Sequence, residues 1–168
     1  MKYTVIKNGK YTGVTYDYLN DDILAHHTSQ GEMLIPVETP PEPIAIENDI
    51  AIYGDIDIGT LKQGKLWQLS DARWREETGG YMYNGHEFHS DRESQDRVFQ
   101  AYMASLSDPN FTVTWKTKTG WLEMTASDFI ALYNEFQTFL QGLYQKEKNL
   151  QALVEAATTI DGLNEIEW

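Results

Sequence analysis

The chain has 168 residues, a formal net charge of −13 and no cysteine. Disulfide frames, thiolate metal sites and thiol nucleophiles are therefore excluded, and the charge opposes the Lys- and Arg-driven phosphate neutralisation on which nucleic-acid and anionic-membrane binding depend. A hydrophobic fraction of 41%, with 5 Trp, 10 Tyr and 6 Phe, is ample for a packed core and argues against global disorder.

The N-terminus turns polar by Lys7, and no apolar run approaches the roughly 20 residues that span a bilayer. The expectation is a chain that is soluble and cytoplasmic at synthesis, with no membrane insertion. Tyr3–Ile6 and Tyr11–Val14 flank Asn8-Gly9, a pair that tolerates positive φ and predicts a β-hairpin. A helical turn and a strand over Glu32–Val37 follow. Thr39-Pro40-Pro41-Glu42-Pro43 then favours extended backbone and reads as a linker. Beyond it, Ile44-Ala45-Ile46, Ile50–Tyr53 and the alternating Asp55-Ile56-Asp57-Ile58 predict a small meander with one wet face. Residues 11–61 carry ten acids and no Lys or Arg. We assign residues 1–61 to an acidic, β-rich region whose isoleucines, Ile46, Ile50, Ile52, Ile56 and Ile58, are candidates for docking a partner chain.

Residues 62–168 read as an α+β domain. Ser70 is a candidate N-cap for a helix that Gly79-Gly80 stops. Asn84-Gly85 predicts a second hairpin, Ser90 or Asp91 caps a helix with Val98, Tyr102 and Leu106 at helical spacing, and Phe111–Trp115 with Trp121–Met124 form a third hairpin. Thr125 with Asp128 is a capping box for one long C-terminal helix. Its apolar residues keep a heptad register: Phe129, Phe136, Leu143, Leu150 and Ala157, with Leu132, Phe139, Lys146, Leu153 and Ile160 three residues on. A rod of about 45 Å is long for a domain of this size to cover. The stripe folds back on the helix at 92–107, the rod breaks near Gly142, or the stripe forms a homo-oligomer interface through Phe129, Leu132, Phe136, Phe139, Leu143, Leu150 and Leu153. On the last reading, glutamate at Phe136 and Leu143 is expected to release a folded monomer.

Catalytic and metal chemistry find little support. His86 and His89, with Asp91, supply a fragment of a metal site, and residues three apart on a strand face opposite ways. Asp49, Asp55 and Asp57 lack a calcium-loop spacing with a closing Glu. There is no Gly-x-Ser-x-Gly, no phosphate-cradling glycine loop and no His-Glu-x-x-His. The expectation is a non-enzyme without a cofactor.

The order Arg75…Gly80-Tyr81…Gly85…Phe88…Asp91…Ser94, then Trp115-Lys116…Gly120-Trp121…Met124-Thr125-Ala126…Asp128-Phe129, then Leu153…Ala156-Ala157…Leu163…Ile166 resembles a domain-of-unknown-function family, DUF4376, widespread in tail and tail-fibre genes of tailed phages and prophages. The resemblance covers roughly residues 67–168. It departs from the family pattern at Met124, where a leucine is usual, and in having no histidine in the middle of the long helix. It implies a structural component of a phage tail, tail fibre or baseplate, made in the host cytoplasm and carried in the virion tail, with residues 1–61 as the variable attachment module. That component contacts other phage tail proteins and self-associates, with a trimer favoured. The alternatives are a tail-fibre assembly chaperone and a carbohydrate-binding receptor module that uses Tyr81, Tyr83 and Trp121 as stacking platforms. No catalytic residues are implied.

Overall fold

The computed structural model describes residues 2–39, 41–43, 45–47 and 50–168, with the backbone alone at Ala45, Glu47 and Ile50–Ile52. The α+β class is borne out: antiparallel strands lead, and a long helix stands near the C-terminus. The chain forms two compact units, Met1–Asp71 with Lys148–Trp168, and Ala72–Glu147.

In the first unit, β1 (Lys2–Lys7) and β2 (Lys10–Tyr16) form the expected hairpin, with Asn8 and Gly9 at φ 51° and 75°. Two successive positive φ values match the twist of the flanking strands, which is why Asn-Gly closes so tight a turn. The helix α1 (Asp21–Ser29) is capped by the Asn20 side chain and leads to β3 (Met33–Val37), which pairs with β1 on the edge opposite β2. Val5 and Ile6 of the central strand and Met33, Leu34 and Ile35 of its neighbour are buried. Thr39, Pro41, Glu42 and Pro43 carry no regular secondary structure, and Pro40 and Ile44 lie outside the described residues. A short antiparallel pair follows, β4 (Ala45–Glu47) with β5 (Ile50–Ile52).

The meander does not continue as the alternation predicted. Asp55 makes a single bridge to Lys10, Ile56 is buried in the core, and Ile58 is the first residue of a helix, α2 (Ile58–Thr78). Asp57 starts that helix. Its carboxylate accepts the Thr60 backbone N–H at 3.0 Å and the Thr60 hydroxyl at 2.6 Å. Those bonds hold the Asp57 carboxyl below its ordinary pKa. Ser70 is thus mid-helix, twelve residues beyond the start at Ile58 rather than its cap. The physical reason is tertiary: Leu61 and Leu69 on α2 bury against Ile6, Met33 and Ile35, and that burial outweighs the weak helix propensity of Gly59 and Gly64. Gly64 permits the approach. A Cβ built there would overlap Ile35 Cγ2 and lie 3.0 Å from Ile35 Cβ. Gly64→Ala, ordinarily helix-stabilising, is therefore expected to destabilise the protein by about 1–3 kcal/mol through overpacking, read as a lower midpoint in urea. A gain in stability would disprove this close packing.

In the second unit, β6 (Tyr81–Tyr83) and β7 (His86–Phe88) form the second hairpin, with Asn84 and Gly85 at φ 48° and 79°. The helix α3 (Arg92–Ser107) is capped by Asp91, whose side chain accepts the Ser94 N–H at 3.0 Å. β8 (Thr112–Thr117) pairs with β9 (Gly120–Thr125). The turn of this third hairpin is tied to the second one: Lys118 N–H donates to Glu87 O at 2.8 Å, and its ammonium pairs with the Glu87 carboxylate at 2.8 Å. Tyr83, Phe88, Val98, Ala101, Met124, Phe129 and Leu132 form the core.

The capping box stands as expected. Asp128 accepts the Thr125 N–H at 2.8 Å and the Thr125 hydroxyl at 2.7 Å, opening α4 (Ala126–Ala156). The cuts between the two units fall inside α2 and α4. A last short helix, α5 (Ile160–Asn164), carries Leu163, which with Val154 and Ile166 joins the core of the first unit.

The burial along α4 departs from the heptad. Phe129, Leu132, Phe136, Leu140, Leu143 and Val154 are buried, whereas Lys146 and Leu153 are exposed. After Phe136 the buried companion lies four residues on, at Leu140 and Val154, rather than three. A straight helix at 3.6 residues per turn drifts by about 20° per heptad, so a fixed face passes from the +3 to the +4 position. The pattern is that of a helix packed on its own chain.

Candidate functional site

The sequence-predicted interface residues are not brought together on one surface. Phe129, Leu132, Phe136 and Leu143 are buried within the chain, Phe139 and Leu150 are half-buried, and Leu153 is exposed. Phe129 packs edge-on against Trp115 at 5.0 Å, and Phe136 and Phe139 each meet Tyr81 at 5.1 Å. Of the docking isoleucines, Ile46 is exposed, Ile58 half-buried and Ile56 buried, and the side chains of Ile50 and Ile52 lie outside the described residues. Part of the acidic region is neutralised locally: Asp17, Glu32 and Asp55 pair with Lys2, Lys7 and Lys10 at 3.6, 2.9 and 3.2 Å.

Two surfaces of the second unit stand out. The first is on α3, which has two apolar faces. Val98 and Ala101 point into the core, while Phe99, Met103 and Leu106, at i, i+4 and i+7, are 46–54% exposed. Tyr102 sits beside them, stacked on Tyr133 of α4 at 4.2 Å. Leu106, at helical spacing from Val98, belongs to the outer stripe. Contiguous exposed apolar side chains, unlike singly scattered ones, call for an explanation.

The second is a cleft of about 460 Å³ between the start of α3 and the β8–β9 hairpin. It is lined by His89, Asp91, Glu93, Ser94, Arg97, Thr114, Trp115, Lys116 and Trp121. Strand alternation explains the hairpin's share: Val113, Trp115, Thr117, Leu122 and Met124 turn inward, and Thr114, Lys116, Trp121 and Glu123 outward. Lys116 and Trp121 are cross-strand partners, with the ammonium 6.0 Å from the indole centroid. On α3, Glu93 pairs with Arg97 one turn on. Hydrogen bonds from Ser94 hold the Asp91 carboxyl below its ordinary pKa, so it is ionised at neutral pH. Of the three aromatics expected as stacking platforms, Trp121 alone is freely presented: Tyr83 is buried and Tyr81 is half-buried against Phe136 and Phe139.

Sequence reasoning overlooked a polar constellation in the first unit. His27 is buried, its Nδ1 2.7 Å from a Glu32 oxygen and its Nε2 2.8 Å from the Tyr16 hydroxyl. A carboxylate only accepts, so Nδ1 carries the proton toward Glu32. Glu32 also accepts from Lys7 at 2.9 Å. The His27 bond, and then the Lys7 bond, hold the Glu32 carboxyl below its ordinary 4.5. A depressed pKa stabilises the fold above the unfolded value and is lost as pH falls through the folded one. Acid titration is therefore expected to lower the Tm below about pH 4.5, and Glu32→Gln to flatten that limb while leaving the neutral-pH circular dichroism unchanged. An identical acid limb in the variant would show that Glu32 is not responsible. Among the described residues no three His, Asp or Glu side chains converge as metal ligands, and none of the described helices is long and apolar enough to cross a membrane.

Comparison with protein families gives a match. The model of a family described as a domain of unknown function (DUF4376) matches residues 60–167, well over half of the chain, and includes both surfaces of the second unit. No curated protein and no solved structure matches the chain.

Proposed function

The chain belongs to the DUF4376 family, and from that membership we propose that it is a structural component of a bacteriophage tail, tail fibre or baseplate that acts through protein–protein contacts. The phage assignment is supported by the ordered residues that resemble the tail-associated family, from Arg75 to Ile166. The observation that carries the contact role is the outward stripe of Phe99, Met103 and Leu106 on α3. A helix of a soluble chain ordinarily keeps a polar face toward water. Leaving this one uncovered forfeits about 25 cal/mol for each Å² of apolar surface that a partner would remove from water.

On this reading the partner surface lies on α3 rather than at the heptad positions of α4. Self-association, with a trimer favoured, and contact with other tail proteins both use it. Met103→Glu with Leu106→Glu places charges on an exposed face, so the fold persists and the contact is lost. Native mass spectrometry is expected to show an oligomer for the parent chain and a monomer for the variant; an unchanged mass in both would remove α3 from the interface. Mass spectrometry of purified virions tests the location. A stoichiometric signal in threes or sixes is expected of a tail component. Absence from mature particles, with the protein present in infected-cell lysate, would favour the assembly-chaperone reading instead.

A further inference from the structure

We infer that the cleft between α3 and the β8–β9 hairpin is a binding site for a neutral pyranose-containing saccharide, with Trp121 as its stacking platform. Trp121 is 67% exposed on the outer face of the hairpin, and its ring is approached by Lys116 alone among the described aromatic and cationic contacts. A pyranose presents an apolar C–H face of a size that an indole covers, and an aromatic ring with a polar surround is the arrangement that takes up such an amphipathic ligand. The cleft supplies that surround. Asp91 and Glu93 are acceptors, Arg97 is a forked donor and Lys116 a mobile one. Vicinal hydroxyls both donate and accept, so a wall carrying ionised acceptors beside cationic donors fits them.

The charge balance selects among ligands. Two carboxylates and two permanent cations line the cleft, so it has no excess of either sign to favour a phosphate or a polycation. The volume, about 460 Å³, accommodates one or two sugar rings rather than a polymer groove. The Glu93–Arg97 pair is solvent-exposed on both sides, with 64% of the Arg97 and 75% of the Glu93 side chain accessible. Such a pair is worth little to the fold, which leaves both groups available to a ligand.

The test is a two-dimensional ¹H–¹⁵N titration of the full chain, following the indole N–H signals of its tryptophans. The probes are the methyl glycosides of glucose, galactose, mannose and N-acetylglucosamine, with maltotriose, chitotriose and inorganic phosphate, each at millimolar concentration. The expected result is a saturable shift of the Trp121 indole and of the Arg97 side-chain signals with at least one sugar and none with phosphate. Trp121→Ala, an exposed position, is expected to keep the dispersed spectrum and to weaken that binding by about tenfold or more, as loss of an aromatic contact implies. No saturable shift with any sugar, a response to phosphate alone, or undiminished binding by Trp121→Ala would each overturn the inference. The outcome is independent of the α3 stripe, whose substitutions lie outside the cleft lining.

Discussion

Replacing Phe136 and Leu143 with glutamate is expected to unfold the Ala72–Glu147 unit. Both side chains are buried in the chain's own interior, at 5% and 6% exposure, and Phe136 meets the Tyr81 ring at 5.1 Å. Removing a buried Phe or Leu costs about 2–5 kcal/mol in lost burial and cavity. An ionised carboxylate placed there adds a desolvation penalty that only a shifted pKa or local unfolding relieves. The double change thus approaches or exceeds the 5–15 kcal/mol that separates a domain from its unfolded state. The heptad pattern alone leads to the opposite expectation, a folded monomer released from an oligomer. Circular dichroism and amide dispersion distinguish the two: collapse of the helical signal is expected. A well-dispersed spectrum from the double variant would show these positions to be surface residues and reopen the heptad interface. Phe136→Leu, which keeps an apolar side chain in place, is expected to remain folded.

That contrast between pattern and packing shows what the sequence carries and what it does not. Features set by two or three adjacent residues were readable. Asn8-Gly9 and Asn84-Gly85 close hairpins because their backbones accept positive φ. Asp91, and Thr125 with Asp128, start helices because their side chains reach the first-turn N–H groups. Features decided by distant packing were not. Asp55-Ile56-Asp57-Ile58 alternates like a strand, but Ile56 is drawn into a core made by Leu61, Leu69 and Val154, and Asp57 becomes a cap. Gly64 looks like a helix breaker until Ile35 is seen to occupy the space of its missing side chain. A composition boundary near residue 61 follows the acid-rich run, whereas the compact units are drawn by packing, which returns Lys148–Trp168 to the N-terminal strands. The cleft is the extreme case. His89 and Asp91 precede α3, Trp121 lies on β9, and nothing local records that Trp121 faces outward while Trp115 packs on Phe129.

Arg73→Met is expected to cost about 3–5 kcal/mol, the range for stranding one member of a buried ion pair. In a sequence, Arg73 and Glu77 are an ordinary i, i+4 pair worth a few tenths of a kcal/mol on a helix surface. Here Glu77 is 1% exposed and ion-paired with Arg73, whose Nε lies 2.7 Å from a Glu147 oxygen and whose guanidinium sits 5.1 Å from the Tyr144 ring centroid. The other Glu77 oxygen makes no hydrogen bond and has Arg92 at 3.6 Å, a side chain that lies over the Trp74 ring. Without Arg73, Glu77 is left buried with one distant cation, and Glu147 also loses a partner. Changing Glu77 to Met as well removes the stranded charge, so the double variant is expected to regain most of the lost stability. A double-mutant cycle in urea reads the coupling directly. Additive single effects would mean that Arg73 contributes through its aliphatic packing rather than its charge. Strong coupling would identify this network as the polar centre that ties α2 to α4 within the second unit.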